Sequence, residues 1–325
     1  MNQATPHPAL ETLQDALRHE HAGIVQMMVH AHRIGDLASM HTLEGIARQD
    51  MRHFKWLAEM VVRLGGNPTV ERGPVYAEAA SPLIWLTRDV AHAEGALARY
   101  KLAAEVYADD EVRRLFTRLV ADEEDHRARL LHLVDHWRTQ PEPVAPPELG
   151  HVEPHGETAQ IHGFLDFAIK HEYAVILQYL QHSFLIDDQR VSRDMEEIAI
   201  EEMRHLGWLS EKLVERGGIP AWEVDRVELT EDPIRMLELD LAREIEVEAD
   251  YKQVVAAMAD PEIRRLFDRI GDHETYHAGV IGEMIARLKA AEVPVAPAVE
   301  PLSAGRCPHL ARQKTVGSLL GQAQP

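Results

Sequence analysis

Residues 202–205 read Glu202-Met203-Arg204-His205, and residues 50–53 read Asp50-Met51-Arg52-His53. A second pair of acid-x-x-His motifs follows further along the chain, at residues 123–126 and 274–277. The members of the two pairs lie 152 and 151 residues apart, so the sequence contains an internal repeat. Because residues three apart share one face of a helix, each motif predicts a carboxylate and an imidazole side by side.

Each repeat contains four long segments with apolar residues at positions i, i+3, i+4 and i+7, and strand signals are almost absent. The predicted helices cover 8–34, 38–64, 83–107 and 110–138 in the first repeat, and 158–186, 190–216, 233–258 and 261–290 in the second. Short turns join the outer pairs of helices, whereas residues 65–82 are long enough to cross the whole bundle. The pattern predicts an all-α protein of two tandem four-helix bundles.

Proline-rich segments set the predicted domain boundaries. The segments Pro143-Val144-Ala145-Pro146 and Pro294-Val295-Ala296-Pro297 even match each other, so each repeat ends in the same way. We expect the first bundle at residues 1–140, a linker at 141–156, the second bundle at 157–292 and a tail at 293–325.

The composition limits the classes of partner. Acidic residues number 54 and basic residues 34, and the net charge of -20 disfavours nucleic acid and anionic membranes and favours cations. No apolar run approaches the roughly 18 residues of a membrane span, and the N-terminal residues lack the features of a signal peptide. With the single cysteine Cys307, no internal disulfide can form. We therefore expect a cytoplasmic protein.

The spacing of the acidic residues predicts that they meet. In an antiparallel hairpin, residues equidistant from the turn lie at the same height, because both helices rise by the same distance per residue. Glu20 and Asp50 are equidistant from residue 35, where a Gly35-Asp36 turn is expected. Three further pairs are also centred on predicted turns, namely Glu94 with Glu123, Glu172 with Glu202, and Glu244 with Glu274. One layer of carboxylates is therefore expected in each bundle.

These residues form a predicted metal-ligand set. Four-helix bundles hold two iron or manganese ions with a carboxylate on each of two helices and a Glu-x-x-His motif on each of the others. The predicted ligands of the first repeat are Glu20, Asp50, His53, Glu94, Glu123 and His126. Those of the second repeat are Glu172, Glu202, His205, Glu244 or Glu246, Glu274 and His277. Oxygen-rich ligands with one imidazole per ion suit iron or manganese better than zinc.

The third helix of each repeat leaves its ligand ambiguous. Glu244 is preferred over Glu246 because it lies seven residues before Tyr251, on the usual inner stripe, but both alternatives remain open. When the repeats are aligned on Tyr100 and Tyr251, Glu94 falls between these two candidates. The aspartate in the first motif also has a shorter side chain than glutamate. We therefore expect the two repeats to differ in metal occupancy.

Residues 172–179 read Glu172-Tyr173-Ala174-Val175-Ile176-Leu177-Gln178-Tyr179 and, with the motif at 202–205, resemble bacterioferritin and its ferritin-like, rubrerythrin-like relatives. The resemblance covers nearly all of both repeats. It implies two tandem ferritin-like bundles and a dinuclear iron centre that oxidises Fe(II) with dioxygen or peroxide, with manganese as the alternative metal. It also implies that Tyr179 matches the redox-active tyrosine of that family and acts as an electron donor, whereas the first repeat has Met27 there.

Two methionines raise the question of a haem. Met51 and Met203 each follow the acidic residue of their motif, where bacterioferritin carries its haem-binding methionine. The resemblance thus implies a haem held between the two repeats. The preferred explanation is that both methionines pack a helix interface, as methionine commonly does, and the haem is the alternative.

The tail contains Lys314-Thr315-Val316-Gly317-Ser318-Leu319-Leu320-Gly321. This segment resembles the C-terminal peptide that directs cargo into encapsulin shells. The resemblance implies an encapsulin shell protein as the partner of residues 314–321, and a location inside the encapsulin nanocompartment. A short apolar segment on a flexible arm can dock in a groove while its domain stays free. An ordinary frayed terminus is the alternative.

The preferred function is a ferroxidase that oxidises Fe(II) with dioxygen or peroxide for iron storage, as encapsulin cargo. Two other enzyme classes remain, a diiron oxygenase or oxidase acting on a small organic molecule, and a dimanganese, catalase-like peroxide scavenger. A non-enzymatic alternative makes the first bundle a structural or partner-binding module whose metal site has decayed. Metal stoichiometry tests this last alternative, since a decayed site leaves fewer ions per chain.

Overall fold

The computed structural model describes residues 6–76, 78, 80–140, 156–220 and 222–292. In these ranges the protein consists of eight α-helices without a β-strand, which confirms the predicted all-α fold of two four-helix bundles. The helices are α1 (Leu10–Arg33), α2 (Leu37–Arg63), α3 (Pro82–Val106), α4 (Asp110–Thr139), α5 (Glu157–Leu185), α6 (Gln189–Glu215), α7 (Pro233–Ala257) and α8 (Pro261–Glu292). The predicted linker, apart from Gly156, and the predicted tail lie outside the described residues. Among the described helices, none combines the length and the apolar character that a membrane span requires.

Aspartate side chains cap the first turn of most helices. Asp36 accepts a hydrogen bond from the backbone N–H of Ser39 at 2.7 Å, before α2. Asp109 accepts from two backbone N–H groups, at 2.9 and 3.0 Å, before α4. Further aspartate caps of the same kind precede helices of the second repeat at Asp188, Asp232 and Asp260. Each cap satisfies amides that have no partner within the helix, so it fixes where the helix begins.

Each bundle consists of two antiparallel hairpins, α1 with α2 and α3 with α4 in the first repeat, and α5 with α6 and α7 with α8 in the second. A long crossover joins the hairpins of each repeat. Gly65 follows α2 and Gly217 follows α6, both with a φ of 79°. This left-handed conformation ends a helix and suits glycine, which has no Cβ to clash.

A buried polar triad holds each crossover against its bundle. In the first repeat Asp89 accepts a hydrogen bond from Gln26 at 2.8 Å and lies 2.9 Å from Nδ1 of His30. The same glutamine and histidine contact the backbone amide and carbonyl of Tyr76, at 3.1 and 2.9 Å. In the second repeat Gln178 and His182 contact Asp240 in the same way, and Gln178 also accepts from the backbone amide of Glu228 at 2.7 Å. Nε2 of His182 has no hydrogen-bond partner among the described residues. Because buried polar groups need partners, the triad fixes the crossover relative to the helices.

The two repeats pack through their first hairpins, with α1 against α6 and α2 against α5. Val25 and Val29 of α1 belong to a buried apolar cluster whose other members come from the second repeat. Lys55 of α2 forms an ion pair with Glu196 of α6, with an N···O distance of 2.5 Å. The first hairpin of each repeat therefore carries ligands of one bundle on its inner face and meets the other bundle on its outer face.

Candidate metal centres

The second repeat brings all six of its preferred ligands together inside the bundle, and all six are buried. They form two groups of four, and within each group the ligand atoms lie within 4.8 Å of one another. One group contains Glu172, Glu202, His205 and Glu274, and the other contains Glu202, Glu244, Glu274 and His277. Glu202 and Glu274 belong to both groups. This arrangement, from four helices, fits a dinuclear metal site with shared carboxylates.

Both histidines of this cluster present the same ring nitrogen to the carboxylates. Nδ1 of His205 and Nδ1 of His277 lie 2.7 and 2.8 Å from the two carboxylate oxygens of Glu202. Their Nε2 atoms face outward, where His205 contacts Nδ1 of His273 at 2.9 Å and His277 contacts Glu201 at 2.9 Å. Such outer partners set the ring orientation of a metal-ligating histidine and leave its inner nitrogen for the ion.

Several buried atoms of the cluster have no hydrogen-bond partner among the described residues. They are Glu172 Oε2, Glu202 Oε1, Glu244 Oε2, Glu274 Oε1 and His277 Nδ1. Buried polar atoms normally have a partner, and a cation supplies one for carboxylate oxygens and an imidazole nitrogen together. The donor set of the second repeat therefore fits a pair of metal ions.

Protons balance the charge of the carboxylates in the metal-free cluster. Burial and the neighbouring charges of Glu202 and Glu274 raise the pKa of Glu172 well above its ordinary value. Burial likewise raises the pKa of Glu244. Burial opposes the charge of His277, but the nearby carboxylates of Glu202 and Glu274 outweigh this effect and raise its pKa to about 10. Metal ions must therefore displace protons when they bind here.

Two buried tyrosines contact the carboxylates of this cluster. The Tyr179 hydroxyl donates to Glu244 Oε1 at 2.5 Å, and the Tyr251 hydroxyl donates to Glu172 Oε1 at 2.6 Å. Both rings are fully buried. The predicted redox-active residue Tyr179 therefore lies in direct contact with a candidate ligand, and a second tyrosine holds the carboxylate on α5.

The first repeat brings together five of its six predicted ligands. Glu20, Asp50, His53 and Glu123 form one group with ligand atoms within 4.8 Å of one another. Nδ1 of His126 lies 3.2 Å from Asp50 and 3.4 Å from Glu123, beside this group. Tyr100 donates a hydrogen bond to Glu20, as its counterpart does in the second repeat. Over the described part of the first repeat this is the one group of four that could surround an ion.

Glu94 does not reach the first cluster, which corrects one of the predicted ligands. Its side chain is 49% exposed and pairs with Arg127 on α4 at 2.7 Å. The preceding residue, Ala93, is fully buried and stands seven residues before Tyr100, as Glu244 stands before its tyrosine. One step along a helix turns a side chain by about 100°. The inward position on α3 therefore belongs to an alanine.

The same geometry settles the alternative on α7. The side chain of Glu246 is 62% exposed and lies 3.8 Å from Arg243, so the structure does not bring it to the cluster. Glu244, two residues earlier, is buried among the ligands.

Apolar side chains fill the corresponding side of the first cluster. Met27 and Ala93 are buried in one hydrophobic cluster of the first bundle. They occupy the positions that Tyr179 and Glu244 have in the second repeat. The first repeat thus lacks both the third-helix carboxylate and the tyrosine that contacts it.

Protonation also balances the charge of the first cluster. Burial and the charges of Glu20 and Glu123 raise the pKa of Asp50 to about 7. Burial opposes the charge of the two histidines, but the carboxylates beside them prevail and raise the pKa of His53 to about 11 and that of His126 to about 9.

The outer partners of the histidines were not predicted from the sequence. Asp122 lies 3.4 Å from Nε2 of His53 and accepts from Arg118 at 2.9 Å. Nε2 of His126 has no partner in the described residues. Each outer partner directly precedes a predicted ligand in the sequence. The pairs are Asp122 with Glu123, Glu201 with Glu202, and His273 with Glu274. This position next to a predicted ligand is the signal in the sequence that could have identified the outer partners.

The two methionines of the haem prediction lie at half-buried positions on α2 and α6. Met203 packs against the apolar cluster that includes residues of both repeats. Methionine packing accounts for this contact, and the haem stays a prediction.

Comparison with known proteins agrees with this geometry. A family model described as a ferritin-like domain matches residues 10–139 and again residues 164–291. The chain is also 30% identical over 113 residues to a bacterioferritin of Desulfovibrio desulfuricans, which covers 33% of this chain and 63% of that protein. The match thus spans less than two thirds of the length of that relative. The two family matches coincide with the two helical bundles, and the chain belongs to the ferritin-like family, with one ferritin-like domain in each repeat.

Proposed function

We propose that this protein is a ferroxidase that oxidises Fe(II) with dioxygen or peroxide, and that it serves iron storage as the cargo of an encapsulin shell. The observation that carries the ferroxidase proposal is the pair of four-residue groups in the second repeat, which share Glu202 and Glu274. Shared carboxylates hold two ions close enough to act on one oxidant molecule.

The residues of the second repeat have separate tasks in this proposal. Glu172, Glu202, His205, Glu244, Glu274 and His277 would hold the iron pair. Bound iron would supply the electrons that reduce dioxygen or peroxide. The outer partners His273 and Glu201 keep the Nδ1 atoms of the histidines turned inward. Burial keeps the ligands away from bulk water, so that the charge of the ions is little screened.

We propose that Tyr179 supplies one further electron. Its hydroxyl donates to Glu244 at 2.5 Å, so the phenolic proton can pass to that carboxylate as the electron leaves the ring.

We further propose that the first repeat holds a single ion. Glu20, Asp50, His53 and Glu123 supply four ligands for one ion. A second ion would lack the carboxylate that Glu244 provides in the other repeat, because Ala93 stands at that position. This proposal differs from the alternative of a decayed, purely structural first bundle, because a decayed bundle would bind no ion.

The ferroxidase proposal is tested by anaerobic loading with Fe(II), followed by a pulse of dioxygen, with optical spectroscopy and oxygen uptake as readouts. Repeated oxidation of excess Fe(II) is the expected result. A single stoichiometric oxidation that then stops would contradict the proposal and favour an oxygenase with an organic substrate. Peroxide disproportionation by the manganese-loaded chain, without iron turnover, would favour the catalase-like alternative. Glu202→Gln is the matched control, because it alters one shared carboxylate with little change in volume.

The encapsulin proposal rests on residues 314–321, which lie outside the described residues. Apolar side chains pack the interior of both described bundles, so stored iron mineral needs an enclosure outside the chain. Co-expression with an encapsulin shell protein tests the proposal. The full chain should copurify with assembled shells, whereas a chain lacking residues 314–321 should not. Equal copurification of a variant with the same eight residues in scrambled order would contradict the proposal.

A further inference from the structure

The interface between the repeats contains a buried hydrogen bond between a phenol and an imidazole. The hydroxyl of Tyr173 on α5 lies 2.5 Å from Nε2 of His21 on α1. Each side chain is 4% exposed. Tyr173 directly follows the candidate ligand Glu172, and His21 directly follows Glu20. The bond therefore joins two residues that are each one peptide unit away from a different metal cluster.

The direction of this hydrogen bond follows from the other contacts of the imidazole. Nδ1 of His21 lies 3.2 Å from the backbone carbonyl oxygen of Glu71. A carbonyl oxygen can only accept, so Nδ1 carries the hydrogen and Nε2 is left with its lone pair. The phenol of Tyr173 is therefore the donor, and its proton points at the lone pair of Nε2.

Arg72 holds the phenol in this position. Its Nη1 donates to the Tyr173 oxygen at 3.2 Å and to the backbone carbonyl of Trp222 at 2.9 Å. The Tyr173 oxygen thus gives one hydrogen bond and receives another, both across the boundary between the repeats. Three elements, α1, α5 and the crossover of the first repeat, fix the geometry.

Duplication of the chain makes this pair possible. His21 and Tyr173 are 152 residues apart and occupy the same position in the two repeats. In a symmetric pair of identical bundles this position would hold the same residue twice. Here one half provides an oxidisable phenol and the other provides an imidazole that accepts its hydrogen bond.

We propose that Tyr173 and His21 form a proton-coupled electron relay between the two metal clusters. The relay deepens the ferroxidase proposal and rests on it. Reduction of dioxygen to water takes four electrons. In the proposed function the iron pair gives two of them and Tyr179 gives a third. A single Fe(II) ion in the first repeat can give the fourth, provided that a connection to the second repeat exists.

Electrons and protons balance in two steps. Tyr173 gives one electron to the oxidant formed from dioxygen in the second repeat, its O–H bond breaks, and the proton moves to Nε2 of His21. A neutral tyrosyl radical and an imidazolium result. Fe(II) in the first repeat then gives one electron to the radical and becomes Fe(III), and the proton returns from His21 to the phenolic oxygen. The sum is the transfer of one electron from the first repeat to the second.

The relay is tested first in the metal-free full-length chain, with a ruthenium tris-bipyridyl photo-oxidant, an external electron acceptor and low-temperature EPR. The expected result is a neutral tyrosyl signal that is weaker in Tyr173→Phe than in the native chain, because Tyr179 and Tyr251 keep their hydrogen bonds to carboxylates. The signal should fall by the same amount in His21→Gln, because an amide can accept a hydrogen bond but cannot hold the proton. Tyr107→Phe is the matched control, since Tyr107 is hydrogen-bonded to the hydroxyl of Thr12 rather than to a base. Circular dichroism checks that all variants remain folded.

Two outcomes would overturn the relay. One is a tyrosyl signal of native intensity in Tyr173→Phe, and the other is a native signal in His21→Gln. A second experiment separates this failure from that of the ferroxidase proposal, with ⁵⁷Fe(II) loading, a dioxygen pulse and rapid freeze-quench Mössbauer spectroscopy. Iron in the first repeat should stay ferrous in Tyr173→Phe while iron in the second repeat is oxidised. If native protein oxidises no iron, the ferroxidase proposal fails; if native and variant oxidise iron equally, only the relay fails.

Discussion

The second repeat keeps a complete set of ligands, whereas the first has the same helices with a reduced set. Where the second has Glu202, Glu244 and Tyr179, the first has Asp50, Ala93 and Met27. The bundle around Ala93 remains fully packed, because the methionine and the alanine join the apolar cluster of the first bundle. The comparison shows that the fold depends on apolar packing and on the polar triads that both repeats share, and that the ligand set can change without it.

The difference also has an electrostatic side. Buried carboxylates without a cation carry a desolvation cost, which is why the pKa values of Glu172, Glu244 and Asp50 are raised. The second repeat has four carboxylates in its cluster and the first has three. The first cluster has no counterpart of Glu244. It therefore lacks a buried acid that would require either a proton or a metal ion. The second repeat retains this acid, so its stability should depend more strongly on metal.

The largest expected effect is the loss of both ions from the second repeat. Glu202→Ala removes a carboxylate that belongs to both groups of four, so neither ion keeps its ligand set. Asp50→Ala is the matched variant of the first repeat and should remove only one ion. Metal analysis after anaerobic loading and gel filtration measures both. Equal losses in the two variants would contradict the asymmetry.

A smaller effect is expected when the two repeats are made alike at the third-helix position. The metal content should then change by one ion per chain. Glu244→Ala gives the second repeat the alanine of the first, and we expect it to lose one ion and keep the other. The reverse change, Ala93→Glu with Met27→Tyr, supplies the first repeat with the missing carboxylate and its hydroxyl donor and should add one ion. The same metal analysis reads both changes. An unchanged metal content in both variants would show that the third-helix carboxylate does not decide occupancy.

The polar triads should respond equally in the two repeats. Asp89→Ala and Asp240→Ala each leave a histidine and a glutamine buried without their shared acceptor. A buried donor that is left without its acceptor costs about 1–3 kcal/mol, which corresponds to a Tm lower by roughly 5 °C. Thermal unfolding of the two metal-free variants should give similar losses, with the number of bound ions unchanged. A large loss in only one repeat would show that the triads are not equivalent.

The smallest effect concerns pH. The folded protein raises the pKa of His126 to about 9 and that of His277 to about 10, both above the ordinary value of 6.5. The stability that these groups contribute is fully present below pH 6.5 and is lost as the pH rises through the folded values. The metal-free protein should therefore lose stability between pH 7 and pH 10. The loaded protein should lose less, because ions replace the protons, and a parallel loss in both forms would contradict this reading.

Much of the fold could be predicted because helical periodicity and turn residues are local properties. The predicted helix ends differ from the observed ends by two residues at most. The equal spacing of Glu20 and Asp50 from the turn at residue 35 placed both in one cluster. The prediction of Glu94 as a ligand was wrong because a shift of one residue along a helix turns a side chain from an inward to an outward position. The spacing of the acidic residues did not define which of the neighbouring residues points inward. The contact of His21 with Tyr173 could not be predicted, because it depends on how the two bundles pack.

The measurement that tests the asymmetry of the two repeats most directly is an anaerobic titration of the metal-free chain with Fe(II), followed by circular dichroism or calorimetry. The three groups of ligands predict saturation at three ions per chain, two in the second repeat and one in the first. Saturation at four ions would mean that the first repeat binds a pair despite Ala93. Saturation at two would mean that the first repeat binds none, and either result would contradict the assignment of one ion to the first repeat and two to the second.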